Sequence, residues 1–341
     1  MRLQKYPGNP VLSPNPKNKW ESLVTTNPGA WYEEDEGTVY LLYRAAGTDP
    51  EHRIYLGLAV SQDGYRFERV SDEPVFGPGA EGFDAGCVED PRIVKMGEYY
   101  FITYAARPFP PGQYWLPAER RGYHPPKCPP QFPKCLRENS TVSGLAITKD
   151  FRTFIRAGRL THPLLDDRDV ILFPEKVGGK YILIHRPLEW VGEEYGTDRP
   201  SIWICASEDL LGFDFKQSKL LAKPEFEWEA TRIGGSTPPI KTDHGWLFLY
   251  HGAGSDRFYR IGAMLLDLEE PWKILHRSPD WLMEPDQYYE IEGRYRGVVF
   301  PCGNVVIEGT LFVYYGGADQ YVGVATCPLD ELLDHLRSCP P

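Results

Sequence analysis

The sequence predicts an all-β chain folded as a five-bladed β-propeller, and three observations predict it. A strand-like run ending in aromatic or basic residues and a small-residue turn recurs five times: VYLLYRAAG (Val39 to Gly47), YYFITYAAR (Tyr99 to Arg107), KYILIHRP (Lys180 to Pro187), GWLFLYHGA (Gly245 to Ala253) and TLFVYYGGAD (Thr310 to Asp319). Between Tyr43, Tyr104, His185, Tyr250 and Tyr314 the steps are 61, 81, 65 and 64 residues, too long for a hairpin and too short for a domain. A second apolar strand trails each copy (LGLAVSQDGYRF, SGLAITKDFRTF, IWICASEDLLGF, IGAMLLDLEEPW, VGVATCPLDELL), each with a polar or acidic turn behind it.

Each repeat therefore carries at least two successive strands with a tight return, the unit of a propeller blade. A β-sandwich also has short strands at regular spacing. The propeller is preferred because the copies share residue types at their ends as well as periodicity, and those ends would converge on one axial pocket. Composition agrees, with 21 Tyr, 16 Phe and 9 Trp, residues that strands favour. Helical periodicity is scarce, and its clearest instance is LDELLDHL in the tail, giving a short C-terminal helix over about 329–337. No Ser/Gly linker or charge block divides the 341 residues, so 1–341 reads as one propeller domain.

One segment breaks the period. The extra residues of the 81-residue step lie between the second blade's two strands, over about 107–138, and nine positions from Pro108 to Pro133 are proline. Such a loop is too stiff for a linker and too long for an idle turn. It reads either as a wall or lid over a site, with Phe109, Tyr114, Trp115, Tyr123 and Phe132 as stacking surfaces, or as a loop packing its own aromatics.

The net charge of −11 argues against nucleic acid as a partner, because neutralising phosphates needs a basic face. No run of 18 apolar residues appears, so no membrane association is expected. The first residues lack a secretory apolar stretch, and seven scattered cysteines fit a reduced, cytoplasmic setting. Cys128 and Cys135 share one loop, where a local disulfide or metal clip stays open. The eight histidines form no ligand cluster, so no metal or other cofactor is expected.

The chemistry-bearing motif is Glu89-Asp90-Pro91-Arg92, just before the second repeat's first strand. An acid on a proline-stiffened backbone with an arginine two residues on suits a positioned proton donor; it also suits a structural turn. Basic groups close or flank several repeats: Arg44, Arg186, His251, Arg168 and Lys176. Together they could hold a multiply charged anion, or individually brace the blades by pairing with Glu175, Asp167 or Asp169.

The segments NPGAWYEEDEGTVYLLYRAAG, EDPRIVKMGEYYFITY, DDRDVILFPEKVGGKYILIHRP, GGSTPPIKTDHGWLFLYHG, IGAMLLDLEEPWKILHRS, YYEIEGRYRGVVFPCGNVV and LFVYYGGADQYVGVAT, in this order from Asn27 to Thr326, resemble glycoside hydrolase family 130, the β-mannoside phosphorylases and related β-mannosidases. The resemblance implies a five-bladed propeller with an axial active site, and Asp90 as the general acid. It implies an inverting reaction: Asp90 protonates the leaving oxygen by relay through a mannose hydroxyl, while inorganic phosphate, a co-substrate, attacks the opposite face and releases α-mannose 1-phosphate. Phosphate ligands would come from the segments holding Arg168, Lys176, Arg186 and His251, with Asn139 near them. The mannosyl unit would meet Asn27, Arg44, Arg92 and Asp319, with Tyr289 and Glu290 as further candidates. The partners are thus a small carbohydrate and phosphate. Self-association is compatible with the resemblance, with no subunit number fixed.

Two other readings stand beside this one. An inverting β-mannosidase on the same scaffold would need a second carboxylate as base, drawn from Glu175, Glu290 or Asp319. A propeller that binds carbohydrate without turning it over is the third. Many relatives lack the proline-rich insertion, which leaves the acceptor sugar and the linkage open.

Overall fold

In a computed structural model describing residues 1–341, the chain forms five antiparallel sheets arranged as the blades of a propeller. After strand β1 (Gln4–Lys5), the first blade comprises β2 (Val24–Glu33), β3 (Thr38–Ala46), β4 (Ile54–Ser61) and β5 (Glu68–Arg69). The second comprises β6 (Cys87–Met96), β7 (Tyr99–Arg107), β8 (Val142–Thr148) and β9 (Phe154–Arg159). The third holds β10 (Asp167–Leu172), β11 (Tyr181–Pro187), β12 (Ile202–Ser207) and β13 (Lys219–Ala222). The fourth holds β14 (Arg232–Gly235), β15 (Ile240–Thr242), β16 (Gly245–Ala253), β17 (Tyr259–Leu266) and β18 (Ile274–Arg277). The fifth holds β19 (Val299–Ile307), β20 (Thr310–Gly317) and β21 (Tyr321–Pro328). Its outermost strand is β1, which pairs Gln4 with Thr326 and Lys5 with Ala325, so the two ends of the chain share one sheet.

The repeated motifs are the second and third strands of each blade. Alternation along the second strand sends its motif residue into the packing between blades. Tyr43, Tyr104, Tyr250 and Tyr314 are almost wholly buried there, and their hydroxyls bond Glu21, Asp84, Arg277 and the Gly64 carbonyl. His185 is likewise buried, between Asp167 and Ser218. The apolar clusters lie mainly between neighbouring blades: Leu41 and Tyr43 with Phe312 and Tyr314, Leu56 with Ile102, Val94 with Leu183, Ile184 with Phe248, and Leu249 with Val313.

A short helix α1 (Lys134–Arg137) lies at the end of the insertion between β7 and β8, and a second, α2 (Tyr288–Ile291), precedes β19. The last element, α3 (Leu329–Arg337), buries Leu332, Leu333 and Leu336 against blades four and five. No helix is long and apolar enough to cross a membrane. Cys128 and Cys135 are free thiols, as are the other five cysteines.

Candidate active site

The first strands of the blades carry the site through a repeated irregularity. In β2, β6 and β10 the pairing register slips, between Thr26 and Gly29, Glu89 and Arg92, and Arg168 and Ile171. At each slip one residue takes a left-handed backbone: Asn27 (φ 45°), Asp90 (φ 53°) and Asp169 (φ 54°). Bulges re-aim side chains, and Asn and Asp tolerate this conformation better than other non-glycine residues. All three residues line one cavity of about 470 Å³. Asp319, also left-handed (φ 56°), reaches the same cavity from the turn after β20. Gly316 is needed beside this group, because a Cβ there would overlap the Asn27 Oδ1 atom.

The residue that follows each motif aromatic or histidine occupies an equivalent slot, opposite the first strand. In blades one to three these are Arg44, Ala105 and Arg186, and all line the cavity. In blade four the slot holds His251, fully buried behind Tyr259 and Phe300, which do line the cavity. In blade five it holds Tyr315, whose hydroxyl donates to Glu290 at 2.7 Å. The repeat ends converge on the axis in three blades and are covered or turned away in two.

Around Asp90 the geometry is dense. Asn27 Nδ2 donates to Asp90 Oδ1 at 2.8 Å, and Arg44 Nη1 lies 3.2 Å from the same oxygen. That one Arg44 nitrogen is also 3.2 Å from Glu89 Oε2 and 3.7 Å from Asp319 Oδ1. Burial, reinforced by the neighbouring Glu89 charge, raises the proton affinity of Asp90 against the opposing pull of Arg44 and Arg92. Burial also acts upward on Glu89, but Arg44, Arg107 and Arg168 outweigh it and hold that carboxyl below its usual range. Adjacent carboxyls with opposite shifts are the pattern expected where two acids take different roles.

Five arginines line the cavity: Arg44, Arg107, Arg121, Arg168 and Arg186. Arg168 is held by both oxygens of Asp166, at 2.6 and 3.0 Å, and its side chain remains 36% exposed. Arg186 Nε donates to Asp169 Oδ2 at 2.6 Å. Asp169 is buried, yet Arg186, His251 and Arg92 overcome that burial and keep its carboxyl far below the ordinary range. Arg107 donates to the Asn139 carbonyl at 2.8 Å and lies 3.7 Å from Glu89.

Of the residues singled out in the sequence, Asp90, Asn27, Arg44, Asp319, Arg168, Arg186 and Asn139 come together here. Asn139 does so with its amide spent: it accepts from the Phe109 N–H at 3.0 Å and donates to the Phe109 carbonyl at 2.9 Å, clamping the neck of the insertion. Arg92 lies behind the cavity, 2% exposed, donating to the carbonyls of Ser236 at 2.9 Å and Asp90 at 3.0 Å. It fixes the backbone of Asp90 and ties blade two to blade four.

His251 is 3.6 Å from Asp169, but burial together with Arg186 and Arg92 pushes it down to about 3 despite that neighbour, so it is a neutral imidazole near neutrality, not a cation for an anion. Lys176 does not reach the site. It is exposed on the turn between β10 and β11, over the Tyr181 ring at 4.2 Å. Tyr289 and Glu290 are buried outside the cavity, where Glu290 accepts from Lys5 at 2.6 Å and from the backbone N–H groups of Asp286 and Gln287. Both belong to the brace under α2. Glu175 is exposed and paired with Lys241 at 2.5 Å, also outside the cavity.

Sequence reasoning passed over Arg107, Tyr259, Tyr295 and Phe300. Arg107 had a signal, because it closes the second repeat copy as Arg44 and Arg186 nearly close theirs. The three aromatics had none, since they enter from three separate segments of blades four and five.

Comparison with known proteins identifies the family. The glycoside hydrolase family 130 model, described as beta-1,4-mannooligosaccharide phosphorylase, matches residues 2–110 and 136–338. A 1,2-beta-oligomannan phosphorylase of Thermoanaerobacter sp. (strain X514) is 35% identical, over 97% of this chain and 99% of that protein. The beta-1,4-mannooligosaccharide phosphorylase of Ruminococcus albus is 26% identical, over 98% and 91%. Among solved structures, the beta-1,2-mannobiose phosphorylase of Listeria innocua in complex with beta-1,2-mannobiose superposes with a TM-score of 0.79, at 27% identity and over 98% and 99% of the two chains.

Proposed function

The chain belongs to glycoside hydrolase family 130, and from that premise we propose that it is an inverting β-mannoside phosphorylase. Asp90 carries the proton. Its raised proton affinity keeps the acid form available, Asn27 and Arg44 fix its orientation, and the proton passes to the leaving oxygen through a mannose hydroxyl. The C1–O bond to the leaving sugar breaks as an oxygen of inorganic phosphate bonds C1 from the opposite face, giving α-mannose 1-phosphate and a sugar shortened by one unit. Phosphate arrives as an anion and needs no base to activate it.

The observation that carries this reading is the company Asp90 keeps. Arg107, Arg168 and Arg186 share its cavity, and fixed guanidinium groups suit a phosphate held against a sugar. A hydrolase would require a free carboxylate across the substrate from the acid. Glu175 and Glu290 lie outside the cavity, Asp169 is locked to Arg186, Glu89 is paired with Arg44 at 3.2 Å, and Glu138 lies 3.8 Å from Lys134. Asp319 approaches the same Arg44 nitrogen as Asp90, at 3.7 and 3.2 Å, so it is grouped with the acid in this reading rather than opposed to it. The reaction consumes phosphate as co-substrate and needs no further cofactor in this scheme.

For the linkage, β-1,2 is the reading that similarity supports, because relatives named for β-1,2-mannosides reach 35% and 33% identity against 26% for the β-1,4 enzyme. Running the reaction backwards tests both statements. With α-mannose 1-phosphate and a panel of sugars, the expected product is a new β-1,2-mannosidic bond and free phosphate, with the β-anomer of the donor inert. Use of the β-anomer would overturn inversion, and a product joined through another hydroxyl would overturn the linkage.

A further inference from the structure

The family match stops at residue 110 and resumes at 136, so the proline-rich segment between them lies outside the stretches the family model matches. It nevertheless lines the same cavity as Asp90, through Pro111, Tyr114, Arg121 and Pro125. It is also anchored at several points. At its start, a Cβ on Gly86 would overlap the Phe109 carbonyl, so the segment lies directly on the chain leading into β6. Further along, Gly112 N–H donates to the Glu51 carbonyl at 2.9 Å and Gln113 Nε2 to the Thr48 carbonyl at 3.1 Å, tying it to the β3–β4 turn. Trp115 packs edge-on to His52 at 4.6 Å and lies beneath the Arg294 guanidinium at 5.7 Å, reaching the segment before blade five.

Within this frame the aromatics divide by role. Trp115 is the latch, and Phe132 and Tyr123 lie off the cavity. Tyr114 is left facing it, 42% exposed. Arg121 presents it: Nη2 donates to the Tyr114 carbonyl at 2.9 Å, and Nε to the Leu116 carbonyl at 2.9 Å. An aromatic face open to a polar cavity, on a backbone held this firmly, is a platform for the apolar face of a pyranose ring.

We propose that Tyr114, presented by the insertion, is the stacking platform of the acceptor subsite, holding the sugar that leaves in phosphorolysis and attacks in synthesis. The assignment rests on the phosphorylase reading and deepens it. It follows from depth: Tyr114 is 42% exposed while Asn27 and Arg44 are 3% and 7% exposed in the same cavity, so a mannosyl unit held among those two lies deeper and the leaving sugar lies toward Tyr114. The insertion would then set which sugars this chain accepts.

Synthesis kinetics with α-mannose 1-phosphate and mannose, together with calorimetric binding of β-mannobiose, test the proposal on the full chain. In Tyr114→Ala the KM for mannose should rise about tenfold and mannobiose binding should weaken by a similar factor, with the KM for mannose 1-phosphate within about twofold of the parent. Tyr114→Phe, which keeps the ring, should stay close to the parent in all three. An unchanged acceptor KM in Tyr114→Ala, or a loss in Tyr114→Phe as large as in Tyr114→Ala, overturns the platform. If the parent chain makes no product from mannose 1-phosphate, the phosphorylase reading falls, and calorimetry still decides whether Tyr114 holds a sugar.

Discussion

Asp90→Asn is expected to lower kcat by about a thousandfold while leaving the fold intact, the loss typical of removing a general acid. The substitution isolates chemistry from structure for a local reason. Residue 90 has a left-handed backbone, which asparagine adopts as readily as aspartate, and the amide oxygen can still accept from Asn27. Alanine would add strain to the loss of the proton. The pH profile gives a second signature. Burial and the Glu89 charge raise the Asp90 carboxyl, and the protonated form is the active one. Parent activity should therefore be present below that raised value and fall as pH climbs through it, and the variant's residual rate should lack this alkaline limb. A variant within tenfold of the parent, with thermal unfolding unchanged, would remove Asp90 from the role of acid.

Arg168→Ala should raise the KM for phosphate by about ten- to a hundredfold, the effect of losing a charge-assisted contact. The KM for the mannoside should stay within about twofold. Arg168 is the cleanest of the cavity arginines for this purpose. Arg186 and Arg44 each neutralise buried carboxylates, so removing either would leave an unpaired charge and confuse binding with stability. Arg168 is a third exposed, and its partner Asp166 keeps the Thr141 N–H at 3.2 Å when the guanidinium is gone. Arg168→Lys should fall between parent and alanine, because a lysine keeps the charge without the planar fork. Equal losses for phosphate and mannoside would assign Arg168 to general cavity structure instead.

The propeller was legible because the second and third strands of each blade repeat both their alternation and their end residues. Tyr43, Tyr104, Tyr250 and Tyr314 do the same job in four blades, filling the space between sheets, and their recurrence counts the blades. The first strands were harder to read, since the slips at Asn27, Asp90 and Asp169 interrupt alternation at the residues that matter most. Strand β1 was beyond reach: two residues carry no periodicity, and its partner lies more than 300 positions away.

The site divides along the same line. Arg44 and Arg186 could be found because they follow a repeated residue in a fixed register. His251 holds that register too, but Phe300 and Tyr259 cover it, and burial strips the charge that made it attractive as an anion ligand. Lys176 failed on distance. It lies eight residues beyond Arg168 on a largely extended chain, about 25 Å at the rise of a strand, which takes it away from the cavity. Glu290 failed because a buried carboxylate serves a brace as readily as a reaction; its partners are Lys5, Tyr315 and two backbone N–H groups. The motif around Asp90 singled out the proposed acid, but its contact with Arg44 emerges only when two blades are brought together.

The most direct measurement of the central claim follows a β-mannooligosaccharide with and without inorganic phosphate, reading products by proton and phosphorus NMR. The account expects cleavage only when phosphate is present, with α-mannose 1-phosphate as the first phosphorylated product. Free mannose released at the same rate in both samples would contradict it.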